Sequence, residues 1–93
     1  KAIRKVEPKS KIILYGSYAR GDNGKDSDID LLILVDKKKI TYEDEKRITY
    51  PLYDLGIESG EVISAFIYLR KEWETKHRVT PFYHNIKLEG VEL

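Results

Sequence analysis

Two acidic residues separated by one position, preceded at a fixed distance by a Gly-Ser pair, are the part of this 93-residue chain that could do chemistry. The pair is Gly16-Ser17; ten residues later come Asp28, Ile29 and Asp30. Side chains alternate across a strand, so Asp28 and Asp30 share a face and lie close enough to share a hard divalent cation. Two carboxylates so placed can hold Mg²⁺ while leaving coordination positions for water and phosphate oxygens. Gly16 has no Cβ, which permits a sharp turn and a close approach of phosphate to the main chain. Ser17, opening a short helix through Arg20, adds a hydroxyl beside free amide donors. Together these residues make a triphosphate seat opposite a metal.

Each half of this pattern is ordinary alone, because Gly-Ser often marks a turn after a strand and an Asp often caps one. At fixed spacing the four residues arise by chance in about one chain in a thousand of this length. Arg20 has two readings: a fork onto phosphate oxygens, or a pairing with an Asp of its own loop. His77 and His84 have no ligand-spaced partner and read as surface or contact residues. Trp73, Phe82 and Tyr83 read as packing residues, and Tyr15 and Tyr18 flank the Gly-Ser turn where a base could stack. Lys37 to Lys39 reads as a solvated basic turn.

The elements that position these groups follow from pattern. Lys11 to Tyr15 (KIILY) has strand composition, and Asp28 to Val35 (DIDLLILV) alternates and then becomes wholly apolar, as a strand covered on both faces does. Thr41 and Asp44 form a capping-box pattern for a helix whose apolar face carries Ile48, Leu52 and Leu55; Gly56 should end it and Pro51 should kink or split it. Glu61 to Leu69 (EVISAFIYL) is a third strand after the Ser59-Gly60 turn. Lys71 to His77 is expected to be helical, and Thr80-Pro81 reads as N-cap and N1 of a last helix ending near Gly90. Ala2 to Val6 reads as the last turn of a helix broken at Pro8, and a start at Lys1 rather than Met points to more of that helix upstream. The sum is one α/β (α+β) domain over residues 1–93, a small mixed sheet with helices packed on it, without a repeat or linker.

Composition bounds the partners. Lys and Arg number 17 against 16 Asp and Glu, interspersed, so steering toward a long polyanion is not expected and nucleic acid is disfavoured as a partner. Cysteine is absent, which removes disulfides and thiolate metal sites and suggests a reducing, cytoplasmic setting. No apolar run approaches ~18 residues and no signal-peptide pattern opens the chain, so no membrane partner is expected. So small a core would gain from a homo-oligomer or a partner helix.

GSYARG followed by SDIDLLILVD resembles the signature of the minimal nucleotidyltransferases of the DNA polymerase β superfamily, Gly-Ser, ten residues, Asp-x-Asp. The segments EVISAFIYLRKEWE and TPFYHNIKLEGVEL also resemble stand-alone bacterial members of that group. The resemblance implies a polymerase β-like core and transfer of NMP, with AMP from ATP favoured, onto a hydroxyl with release of pyrophosphate. It implies that Gly16 and Ser17 bind the β and γ phosphates and that Asp28 and Asp30 hold two Mg²⁺ ions, or Mn²⁺, about 3.5 to 4 Å apart. The family's third carboxylate comes from a later strand. Glu61 is the candidate, as third metal ligand and as the base that takes the acceptor's proton, because it opens EVISAFIYL and is the acidic residue there.

The resemblance further implies a helical toxin as partner, with this domain as the antitoxin that modifies it. A reading of a different class is a non-catalytic interaction module that keeps the fold and masks a partner. The intact Gly16, Ser17, Asp28 and Asp30 favour the enzyme. The position of Glu61 separates the two.

Overall fold

The computed structural model describes residues 10–93. Strand β1 (Lys11–Tyr15) leads into a single helical turn, α1 (Ser17–Arg20), and after a loop comes β2 (Ile29–Val35). Helix α2 (Tyr42–Ser59) crosses to β3 (Ile63–Leu69), which runs directly into α3 (Arg70–Thr75) and a 3₁₀ turn at Lys76–Val79. Helix α4 (Pro81–Glu89) and the short β4 (Val91–Glu92) follow. The described strands form one mixed sheet in the order β3-β2-β1-β4. β2 pairs antiparallel with β1 and parallel with β3, and β4 pairs antiparallel with β1.

β2 is the axis of the fold, with Leu31 to Val35 all buried. Alternation sends Leu31, Ile33 and Val35 to one face, where they pack with Ile12 on Ile48 and Leu52 of α2. Leu32 and Leu34 point the other way, with Ile13, onto Trp73, Tyr83 and Ile86 of α3 and α4. A strand covered on both faces must be apolar throughout, as DIDLLILV is beyond its second Asp. The parallel β2-α2-β3 crossover needs a helix, and α2 supplies it. Trp73 and Tyr83 are thus core residues, and Phe82 packs partly buried against them. His77 also joins this side, its ring 4.7 Å from that of Tyr68, while His84 is exposed.

α2 starts where the capping box places it. Asp44 N–H donates to Thr41 Oγ1 at 3.1 Å and Thr41 N–H donates to Asp44 Oδ2 at 3.0 Å. Its other features depart from the pattern. The helix runs through Pro51 and through Gly56 to Ser59, and Gly60 caps it with φ +74°. Gly56 is buried while Leu55 is exposed, so the inward stripe is Asp44, Ile48, Leu52 and Gly56. Gly56 serves close approach rather than termination: a Cβ there would lie 2.8 Å from the Glu61 carbonyl oxygen, and Glu61 N–H donates to Gly56 O at 3.0 Å. Ile48 and Leu52, anchored in the core on either side of Pro51, hold the helix together across the missing backbone donor.

Three further differences are local. β3 starts at Ile63, so Glu61 precedes it. The expected helix at Lys71 to His77 begins at Arg70 and tightens to 3₁₀ after Thr75. β4 was not anticipated from the sequence. Thr80-Pro81 do open α4, the Thr80 hydroxyl accepting from Tyr83 N–H at 3.2 Å. The expected helical turn at Ala2 to Val6 lies outside the described residues. No helix among the described residues is long and apolar enough to cross a membrane.

Asp44 ties α2 to the loop after β2. Lys37 Nζ donates to its Oδ1 at 2.7 Å, and Arg47 contacts the same oxygen. Lys37, Lys38 and Lys39 are all exposed, as a solvated turn should be, and Lys37 also serves the fold through this contact. The Lys37 contact, then the Thr41 amide, hold the Asp44 carboxyl far below the usual carboxylate range. A depressed folded value contributes stability that is present above the unfolded value near ~3.9 and is lost as pH falls toward the folded one. Asp44→Asn is expected to lower the thermal midpoint at pH 7 and to flatten its fall between about pH 5 and pH 2. Calorimetric scans of both proteins across that range check it, and parallel profiles would contradict it.

Candidate active site

The site forms where β1 and β2 end together. Tyr15 is paired with Asp30, so the residue after Tyr15 lies beside the Asp30 side chain. That residue is Gly16, with φ +78° and ψ −156°, a conformation open almost only to glycine. The close approach gives a second reason for glycine, because a Cβ at Gly16 would collide with Asp30 Oδ2. The Gly-Ser turn and the second Asp of the Asp-x-Asp pair are thus in contact, and Ser17 begins α1 immediately beyond.

Asp30 lies on the α3/α4 face of β2, at the end of a row continued by Leu32 and Leu34. Desolvation raises its carboxyl pKa, the nearby Asp28 raises it further, and Arg20 opposes both. Asp28 stands just before β2 and is exposed. A carboxylate whose proton affinity is raised by a second one in this way gains from a nearby cation. Tyr15 is pushed up to about 12 by burial and then by Asp30. Its ring meets Phe82 edge-on at 5.3 Å, so it belongs to the core beneath the site.

Glu61 sits at the mouth of the sheet, in an open hollow shared with Asp28, Tyr18 and Ser27. Tyr18 Oη donates to its Oε2 at 3.0 Å, and this bond raises the tyrosine hydroxyl's pKa. In the parallel register Asp30 faces Ser64, so Ser64 is the β3 residue beside Asp30 on the same face. Glu61, three positions earlier, is out of step with that alternation. Among the described residues no three His, Asp or Glu side chains converge closely enough to hold a metal ion. The structure therefore brings Asp28 and Asp30 together, and Asp28 and Glu61 into one hollow, without gathering all three around one point.

Arg20 makes the pairing with an Asp of its own loop and adds a carboxylate from the far end of the chain. Its Nε donates to Asp22 of its own loop at 3.2 Å, and its Nη1 reaches Glu89 Oε2 at 3.2 Å. Glu89 also accepts from Gly16 N–H at 3.3 Å. Ser64 and Glu89 are among the residues of the site that sequence reasoning did not single out. The β2-β3 register would have revealed Ser64, and no local signal marks Glu89.

The mixed sheet thus carries a glycine-serine turn lodged against an Asp-x-Asp pair at a strand end. A family model described as "Nucleotidyltransferase domain" matches residues 1–80, and the chain belongs to that family. Two similar proteins come from Methanocaldococcus jannaschii, and both carry the name "putative protein adenylyltransferase". One is 69% identical over 80 residues, covering 86% of this chain and 73% of its own length. The other is 35% identical over 83 residues, covering 89% and 77%.

Gly16→Ala is expected to destabilise the fold by about 1 to 3 kcal/mol, since it meets both the backbone penalty and the Asp30 collision. Denaturant melts measure this. An unchanged midpoint would show that the turn is not held against Asp30.

Proposed function

We propose that the protein transfers AMP from ATP to a hydroxyl on another protein, using divalent metal held by Asp28 and Asp30. The observation that carries this reading is the contact of the Gly16 backbone with the Asp30 carboxylate, which sets a place for phosphate directly against a place for a cation. The names of the relatives favour adenylyl transfer to protein. The resemblance to minimal nucleotidyltransferases suggests a toxin as the modified protein.

Asp28 and Asp30, two hard oxygen donors two positions apart at the start of β2, fit a cation. Bound there, Mg²⁺ or Mn²⁺ would neutralise phosphate charge and polarise the α-phosphate toward attack. Gly16, through its bare backbone, and Ser17, through its hydroxyl, would hold the β and γ phosphates. Arg20 would add a guanidinium to the leaving pyrophosphate. Glu61, steadied by Tyr18, would take the acceptor hydroxyl's proton from the mouth of the hollow. The P–O bond to the acceptor oxygen forms as the bond from the α-phosphorus to the bridging oxygen breaks, and pyrophosphate leaves.

Ser64 beside Asp30 favours a second reading, in which the domain keeps the nucleotide seat but acts by binding a partner. A carboxylate in β3 on the Asp30 face would serve a second cation directly, and a serine there does so poorly.

Mass spectrometry of adenylylated product, with the wild type, Asp30→Asn and Glu61→Gln, separates the two. Catalysis predicts at least a hundredfold loss for Asp30→Asn with an unchanged melt, on the order expected when a ligand carboxylate is removed. Glu61→Gln should lose about tenfold to a hundredfold in turnover with little change in ATP affinity. Transfer undiminished in Asp30→Asn would refute the metal pair. Unchanged turnover in Glu61→Gln would remove it from the chemistry.

A further inference from the structure

One carboxylate already stands at the Gly-Ser turn. Glu89 Oε1 accepts from the Gly16 amide at 3.3 Å and from Arg20 Nη1 at 3.3 Å, and Oε2 accepts from Arg20 Nη1 at 3.2 Å. A backbone amide of glycine together with a guanidinium is a donor set suited to a phosphate oxygen, and here it holds an anion from the chain itself.

The backbone pins Glu89 in this place. Gly90, the next residue, lets α4 end hard against β1: a Cβ there would lie 2.6 Å from the Ile86 carbonyl oxygen and 2.7 Å from Ile13 Cγ2. β4 then pairs Val91 with Leu14, two positions before Gly16. The chain must therefore pass alongside the end of β1 at residue 89. The ion pair is partly open to solvent, with the Glu89 side chain 26% and the Arg20 side chain 47% exposed, so the Glu89 side chain has room to swing away. A partly exposed pair of this kind is weak enough for a more highly charged anion to displace. Arg20 keeps its bond to Asp22 and would stay near the turn after Glu89 departs.

We infer that Glu89 is an internal anion that fills the phosphate seat in the resting protein and competes with the incoming triphosphate, so that it sets nucleotide affinity. The inference rests on the assignment of Gly16, Ser17 and Arg20 as that seat. Glu89 lies beyond residues 1–80, the part matched by the family model. If Glu89 instead served to orient Arg20 and the turn for the nucleotide, its removal would weaken binding, so the sign of the effect decides.

The test is a titration of the full chain with Mg·ATP, followed by calorimetry and by the backbone amide resonances of Gly16 and Ser17. Glu89→Gln keeps the shape and removes the charge, and Glu89→Asp keeps the charge while withdrawing it from the turn. Both are expected to lower Kd by about threefold to fivefold, the size of one exposed charge pair. A Kd unchanged or raised in both variants, with the Gly16 and Ser17 amides still shifting on ATP addition, would overturn the role of Glu89 and leave the phosphate seat standing. If those two amides stay unmoved by ATP in the wild type and both variants, the seat and the inference fall together.

Discussion

The site depends on an absence of side chain: Gly16 presents bare backbone to the Asp30 carboxylate at the point where β1 and β2 stop pairing. Antiparallel pairing fixes Tyr15 opposite Asp30, so the register of two core strands decides which residue meets the acid. Any Cβ at position 16 would push the turn away from the carboxylate, and positive φ excludes most residues there in any case. The core beneath is built to hold this register. Ile12, Ile13 and Leu31 to Val35 bury both faces, and a slip of one residue would exchange the two hydrophobic layers and turn Asp30 to the wrong side.

Electrostatics then follow from position. Asp30 is drawn part-way into the α3/α4 layer, which raises the cost of its charge, while Asp28 remains exposed at the lip. Arg20 compensates in part and is itself shared between Asp22 and Glu89. The mouth of the sheet thus gathers acids with the Arg20 guanidinium and the Lys25 ammonium among them, and a cation or a phosphate changes the balance on arrival. Tyr18 links the same turn to Glu61 on the β3 side, across the hollow they share with Asp28.

What could be read from the sequence was what local rules govern. The Thr41/Asp44 capping box, the Thr80-Pro81 helix start and the apolar β2 run are encoded within a few residues each, and all three stand as expected. Gly16-Ser17 and Asp28-x-Asp30 could be recognised by their fixed spacing, although β2 begins at Ile29 and leaves Asp28 just outside the strand. The rest needed tertiary information. Gly56 reads as a stop, yet its role is to admit the Glu61 carbonyl from the next connection. β4 has two residues and becomes a strand only by pairing with β1. Glu89 meets Gly16 across 73 positions, and Ser64 meets Asp30 through a parallel register that no local pattern announces.

The central claim is that the Gly16 turn and the Asp28/Asp30 pair form one seat for a metal-bound triphosphate. Paramagnetic broadening of amide resonances by Mn²⁺, in the presence of a non-hydrolysable ATP analogue, tests it most directly. The account predicts broadening centred on residues 16–18 and 28–30, absent in an Asp28→Asn/Asp30→Asn double variant. Broadening centred elsewhere, or unchanged in that variant, would contradict it.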